Sequence, residues 1–113
     1  MKEIMTEKGM FALFQEGEIY LEDPNSFLEA AYSTSSETMI FSKSNFHEKF
    51  YDLRSGFAGE ILQKIANYKL RMIILGDFSE YNSKSFQDFI YESNQSGKVI
   101  FASDLEEALK LLR

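Results

Sequence analysis

The residues best suited to chemistry fall in one short stretch. The apolar run that ends at Gly76 is followed by Asp77, Ser79, Tyr81 and Lys84, in the order GDFSEYNSKS. An acid, hydroxyls and a lysine set so close together suit a polar ligand or a partner. They also suit turn and capping work: Asn82, Ser83 and Ser85 are ordinary helix-start residues, and Ser85 with Asp88 loosely imitates a capping box. A second group, Asp52, Arg54 and Ser55, opens a strongly helical segment, where free N–H groups favour an anion. The other carboxylates, Glu60, Asp88 and Asp104 among them, are scattered. No GxGxxG, GxxxxGK[ST] or GxSxG pattern occurs. His47, the only histidine, sits in SNFHEKF without metal-ligand spacing. With no cysteine, thiol nucleophiles, disulfides and Cys-ligated zinc are excluded. No catalytic residue, metal or cofactor is assigned.

The elements that would position these residues follow from periodicity. GMFALFQEGEIYLEDP reads as a hairpin of two short strands around Glu16-Gly17. Asp23-Pro24 reads as a helix start, with Phe27, Leu28, Ala31 and Tyr32 at helical spacing. TMIFS, residues 38 to 42, reads as a buried strand, and KSNFHEKFYD as a loop leading into a helix. From Asp52 the helical signal is the strongest in the chain, with Leu53, Phe57, Ile61 and Ile65 repeating every four residues. Gly56 and Gly59 fall inside that helix and each costs about 1 kcal/mol relative to alanine, which close approach to a neighbouring element would offset. LRMIILG reads as a central strand apolar on both faces. Phe86, Phe89, Ile90 and Ser93 trace a further helix, KVIFA a strand, and SDLEEALKLLR a last helix with Ser103 and Glu106 as a capping box.

The order is ββαβαβαβα, which predicts one α/β domain over residues 1–113 with a mostly parallel sheet covered by helices. In such sheets ligands favour the carboxyl ends of the strands, where residues 76–85 and the helix start at 52–56 would both lie. The strand MFALFQ, if it lies at an edge, invites pairing with a second copy, and a homodimer is expected.

The chain has 113 residues, 44% of them hydrophobic, enough for one core. Net charge is −6, and the first 32 residues hold seven acids against two lysines. The absence of a basic stripe counts against nucleic acid and against anionic membrane. The start MKEIMTEKG is charged, unlike a signal peptide, and no apolar run approaches a membrane span, so a cytoplasmic setting is expected.

Three segments, FYDLRSGFAGEILQKIANY, LGDFSEYNSKSFQDFIYESN and FASDLEEALKLL, together resemble an uncharacterised bacterial family, domain of unknown function 4180. The resemblance covers most of the chain and implies membership without an activity. The element order is also similar to that of STAS domains, the sulfate-transporter and anti-sigma-factor-antagonist fold. Those domains carry an Asp-Ser-Ser-Gly motif at the start of the helix after their third strand, and a serine of it is phosphorylated in the antagonists. The corresponding place here reads Asp52-Leu53-Arg54-Ser55-Gly56, with Arg54 in place of the first serine. By that likeness Ser55 is the phosphorylation candidate. Taken together, the residues lead us to expect a non-catalytic regulatory or protein-interaction module with an unknown protein partner, docking through aromatics such as Phe46, Phe50, Tyr51 and Tyr81. The alternative is a small-molecule or anion-binding protein, or minor enzyme, using residues 76–85 with 52–56.

Overall fold

The three apolar runs become adjacent parallel strands. The computed structural model describes all 113 residues. Its elements are β1 (Lys2–Thr6), β2 (Gly9–Leu13), α1 (Pro24–Tyr32), β3 (Thr38–Ser42), α2 (Phe57–Asn67), β4 (Arg71–Leu75), α3 (Lys84–Ser96), β5 (Val99–Ala102) and α4 (Leu105–Leu111). Three short 3-10 turns, Lys43–Asn45, Glu48–Tyr51 and Leu53–Ser55, carry the chain from β3 to α2. One five-stranded sheet runs β1-β2-β3-β4-β5, with β1 antiparallel to β2 and every other pair parallel. The α/β class, the mainly parallel sheet and the element order all agree with the sequence reading.

Strand order equal to chain order has a packing consequence. Each right-handed crossover steps the same way, so α1, α2 and α3 lie on one face. There Phe27, Ile61, Ile65 and Phe86 meet the strand residues Met39, Phe41, Met72, Ile74 and Phe101. The alternate strand residues Phe11, Ile40, Ile73 and Ile100 point to the opposite face, covered by Ala108 of α4 and by Leu112. Period-two alternation thus supplies two cores from the same strands. Full burial of a ring such as Phe50, packed 4.3 Å from the Phe46 ring, contributes about 1.5–3 kcal/mol.

The hairpin lies elsewhere than expected. It joins residues 2–6 to 9–13, and Glu7-Lys8 forms its turn. Thr6 Oγ1 closes that turn, donating to the Gly9 carbonyl at 2.8 Å and accepting from the Lys8 N–H at 3.1 Å. The predicted strand around Ile19 and Leu21 is a loop instead, with Leu21 making a single bridge to Phe46. Ile4 and Met5 were overlooked because charges interrupt their run. The strand MFALFQ is accordingly not an edge: β1 covers one side of it and β3 the other, and the two edges of the sheet are β1 and β5.

Two capping assignments also move. Ser83, not Ser85, caps α3, accepting from the Phe86 N–H at 3.2 Å. Asp104, not Ser103, caps α4 through the Glu107 N–H. Asp23 caps α1 as read, with Ser26 completing a reciprocal box and Pro24 in the first turn.

Candidate functional site

The helix predicted from Asp52 starts five residues later. Gly56, at φ 79°, is its cap and lies outside α2. Asp52 instead caps the last 3-10 turn, its Oδ1 accepting from the Arg54 N–H at 3.1 Å, and the Arg54 side chain is almost wholly exposed. Ser55 is exposed and locally engaged: its hydroxyl donates to the Lys49 carbonyl at 2.6 Å and accepts from the Phe57 N–H at 3.2 Å. Close approach does not explain Gly59, since a Cβ built there meets nothing within 4 Å.

Residues 76–85 do lie at the carboxyl end of β4. Gly76 is required there: a Cβ would come within 2.7 Å of Lys43 Cβ, because the Lys43 side chain crosses the strand end. Lys43 then donates to the Asp77 carbonyl at 2.8 Å, pairs with Glu80, and sets its ammonium 4.8 Å from the centre of the Tyr81 ring. Tyr81 stacks on Tyr51 at 4.7 Å with the rings nearly parallel. The Tyr51 hydroxyl donates to the Lys43 carbonyl at 2.6 Å. Burial pushes the Tyr51 phenol far above its ordinary value, with the Tyr81 side chain adding to the rise, so it is a fixed neutral donor. Burial, then the Glu48 charge, raises Tyr81 as well.

The remaining polar groups of the loop are spent locally. Asp77 Oδ1 accepts from both the hydroxyl (2.7 Å) and the N–H (2.9 Å) of Ser79, and those hydrogen bonds lower its pKa. Lys84 pairs with Asp88 one helical turn on, which raises its own pKa. A shallow cavity of about 440 Å³ opens beside these groups, between the ends of β3 and β4. Its polar lining includes Glu16, Ser42, Lys43, Glu48 and Tyr81. Of the polar candidates Asp77, Ser79, Tyr81, Lys84, Asp52, Arg54 and Ser55, only Tyr81 lines it, beside Phe46, Tyr51 and Gly76, and Tyr51 is what connects the 52–55 segment to the loop.

His47 is half-buried, its Nδ1 accepting from the Lys49 N–H at 3.0 Å, with the Tyr20 ring 6.0 Å away. Phe46, Phe50 and Tyr51, expected as an exposed docking surface, are instead core residues. The 3-10 turns fold back over the strand ends and bury them, an arrangement periodicity does not reveal. The large exposed apolar side chains are Met1, Met5 and Met10 on the hairpin and Tyr20, Tyr32, Tyr68 and Tyr91 elsewhere.

Sequence reasoning overlooked two features. Lys43 and Asn45 organise the carboxyl edge from a segment read as plain loop. Asn45 is fully buried: its Nδ2 donates to the carbonyls of Gln15 (3.2 Å) and Ile19 (2.9 Å), and its Oδ1 accepts from the Ser42 N–H at 2.7 Å. An asparagine just after a buried strand is the only sequence signal for it. The second feature is a larger cleft at the opposite, amino end of the strands, between α2 and α3.

A family model described as Domain of unknown function (DUF4180) matches residues 10–112. No curated protein matches the chain, and no solved structure does. No helix is long and apolar enough to cross a membrane.

Proposed function

This chain belongs to the family Domain of unknown function (DUF4180), and we propose that it is a non-catalytic protein-interaction module of the bacterial cytoplasm that acts through the β1 edge of its sheet. The supporting observation is β1: it pairs with β2 alone, so its outer row of N–H and C=O groups faces away from the sheet. Beside that row the cross-strand pair Met5 and Met10 is 72% and 44% exposed. Unpaired backbone groups accept a further strand, and methionine adapts to the surface it meets. A second copy of the chain, pairing β1 with β1, is the first partner this edge suits. Sedimentation velocity over a concentration series tests it. A dimer that Met5→Lys dissociates is the expected result; a monomer at every concentration removes self-pairing, and recovery of no other partner by the immobilised chain removes the interaction reading altogether.

The regulatory form of this reading rests on the likeness in element order to STAS domains, which is analogy at the level of fold. A phosphate on Ser55 would replace the bond to the Lys49 carbonyl and add negative charge at the start of α2. If Ser55→Ala binds partners like the unaltered chain, and no phosphate is taken up from a host extract, that form is wrong.

A second reading, binding of a small molecule or anion, draws on the cavity at the ends of β3 and β4, where Lys43 supplies a cation and the Tyr51–Tyr81 pair a flat wall. A thermal-shift screen of nucleotides and phosphorylated metabolites tests it. No shift with any of them, or equal shifts in the Lys43→Gln variant, would count it out.

A further inference from the structure

A cavity of about 770 Å³ lies away from both sites described above. It exists because α1 packs against α2 whereas α3 packs chiefly on β5, which leaves α2 and α3 parted over the amino ends of β4 and β5. Its floor and walls are apolar, built from Leu62, Ile65, Leu70, Phe89 and Val99. Its mouth is ringed by charge: Lys69, Lys98 and Arg113 with Arg71, against Glu37 and Glu92. Arg71 is committed, donating to Thr38 Oγ1 at 2.8 Å and to the Arg113 main-chain oxygen at 3.0 Å. Lys69, Lys98 and Arg113 take part in none of the ion pairs of the chain. Three uncommitted cations thus stand at the mouth of an apolar slot, in a protein whose net charge is −6.

Lys69 holds its place at a cost. It follows α2 in the left-handed conformation, φ 56°, the one non-glycine residue with positive φ. Its N–H bonds to the Ala66 carbonyl and the Leu70 N–H to the Ile65 carbonyl at 2.9 Å. That is the helix-ending pattern in which glycine is the usual residue. A lysine in this position puts a cation at the cleft mouth where glycine would be the more stable choice.

We propose that this cleft binds an amphipathic organic carboxylate, its aliphatic body between α2 and α3 and its headgroup at Lys69, Lys98 and Arg113. Volume and lining fit a ligand of that size and polarity. Apolar body and anionic head are both needed, since exposed lysines alone bind weakly.

Isothermal titration of the full chain with decanoate, decanol and inorganic phosphate tests this. Decanoate should bind saturably at one site, with decanol and phosphate at least about tenfold weaker. The double variant Lys69→Gln, Lys98→Gln should weaken decanoate by roughly threefold to tenfold. Ala66→Trp, from the α2 wall, should block the cleft. Ser96→Trp does the same from the α3 wall should the first variant melt early by circular dichroism. Lack of saturable decanoate binding, equal affinity for decanol, or binding that survives both tryptophans overturns the proposal.

Discussion

Asn45→Ala should unfold the protein more readily than any other single polar-to-alanine change. The side chain is fully buried and makes three hydrogen bonds, two to the carbonyls of the 14–22 loop and one to the end of β3. A buried hydrogen bond contributes about 1 kcal/mol net, and partners left unmade cost more. The expected loss is therefore about 3 kcal/mol. With an unfolding entropy of roughly 2.1 cal/mol/K per residue, a chain this long loses about 0.24 kcal/mol per degree at its midpoint, so Tm should fall by about 12 °C. The main-chain bonds Leu21 N–H to Asn45 O and His47 N–H to Leu21 O do not need the side chain and should persist. Urea unfolding followed by circular dichroism gives the free energy, and an unchanged slope shows that the same surface unfolds. Asn45→Asp keeps the acceptor for Ser42 but places a carboxylate against two carbonyls, and should be at least as damaging. A loss below about 1 kcal/mol in the alanine variant would show that Asn45 does not hold the loop.

Gly59→Ala should stabilise the chain by up to about 1 kcal/mol, or about 4 °C in Tm, because the position is helical and its Cβ meets open space; a destabilised variant would contradict that geometry. Lys69→Gly should also stabilise by about 1 kcal/mol by removing a left-handed lysine, measured by urea unfolding, while weakening decanoate. Gly76→Ala should destabilise and disturb the Lys43 contacts with Asp77 and Tyr81, seen as a lower Tm and an altered tyrosine near-ultraviolet signal. Asp77 has a folded pKa below its ordinary 3.8, so its contribution is complete above 3.8 and is lost as pH falls through the folded value; in Asp77→Asn that part of the acid limb should flatten.

Elements with a strong period were legible in the sequence. β3 was found residue for residue, and the apolar stripes of α2 and α4 pointed at the cores they fill. What was not legible depended on contacts distant in sequence. β1 is a strand because β2 pairs with it, and its own residues, Lys2, Glu3 and Thr6 among them, read as a charged lead-in. Phe46, Phe50 and Tyr51 looked like surface because no helical or strand period includes them, yet the 3-10 turns fold all three inward. The candidate site shows the same division. Its place at a strand end followed from topology, whereas the residue that organises it, Lys43, reaches it from the 3-10 turn that follows β3.

Strand order equal to chain order also bears on how the chain leaves the ribosome. Each new strand can pair with the one made just before it, so the sheet grows from one edge and the three-helix face closes as it lengthens. The other face has no such provision. Phe11, Ile40, Ile73 and Ile100 lie bare until Ala108 and Leu112, which come after all five strands in chain order, arrive to cover them. A nascent or truncated chain lacking residues 105–112 therefore presents a flat aliphatic surface to its surroundings, and chaperone capture or aggregation should concentrate in that interval of synthesis.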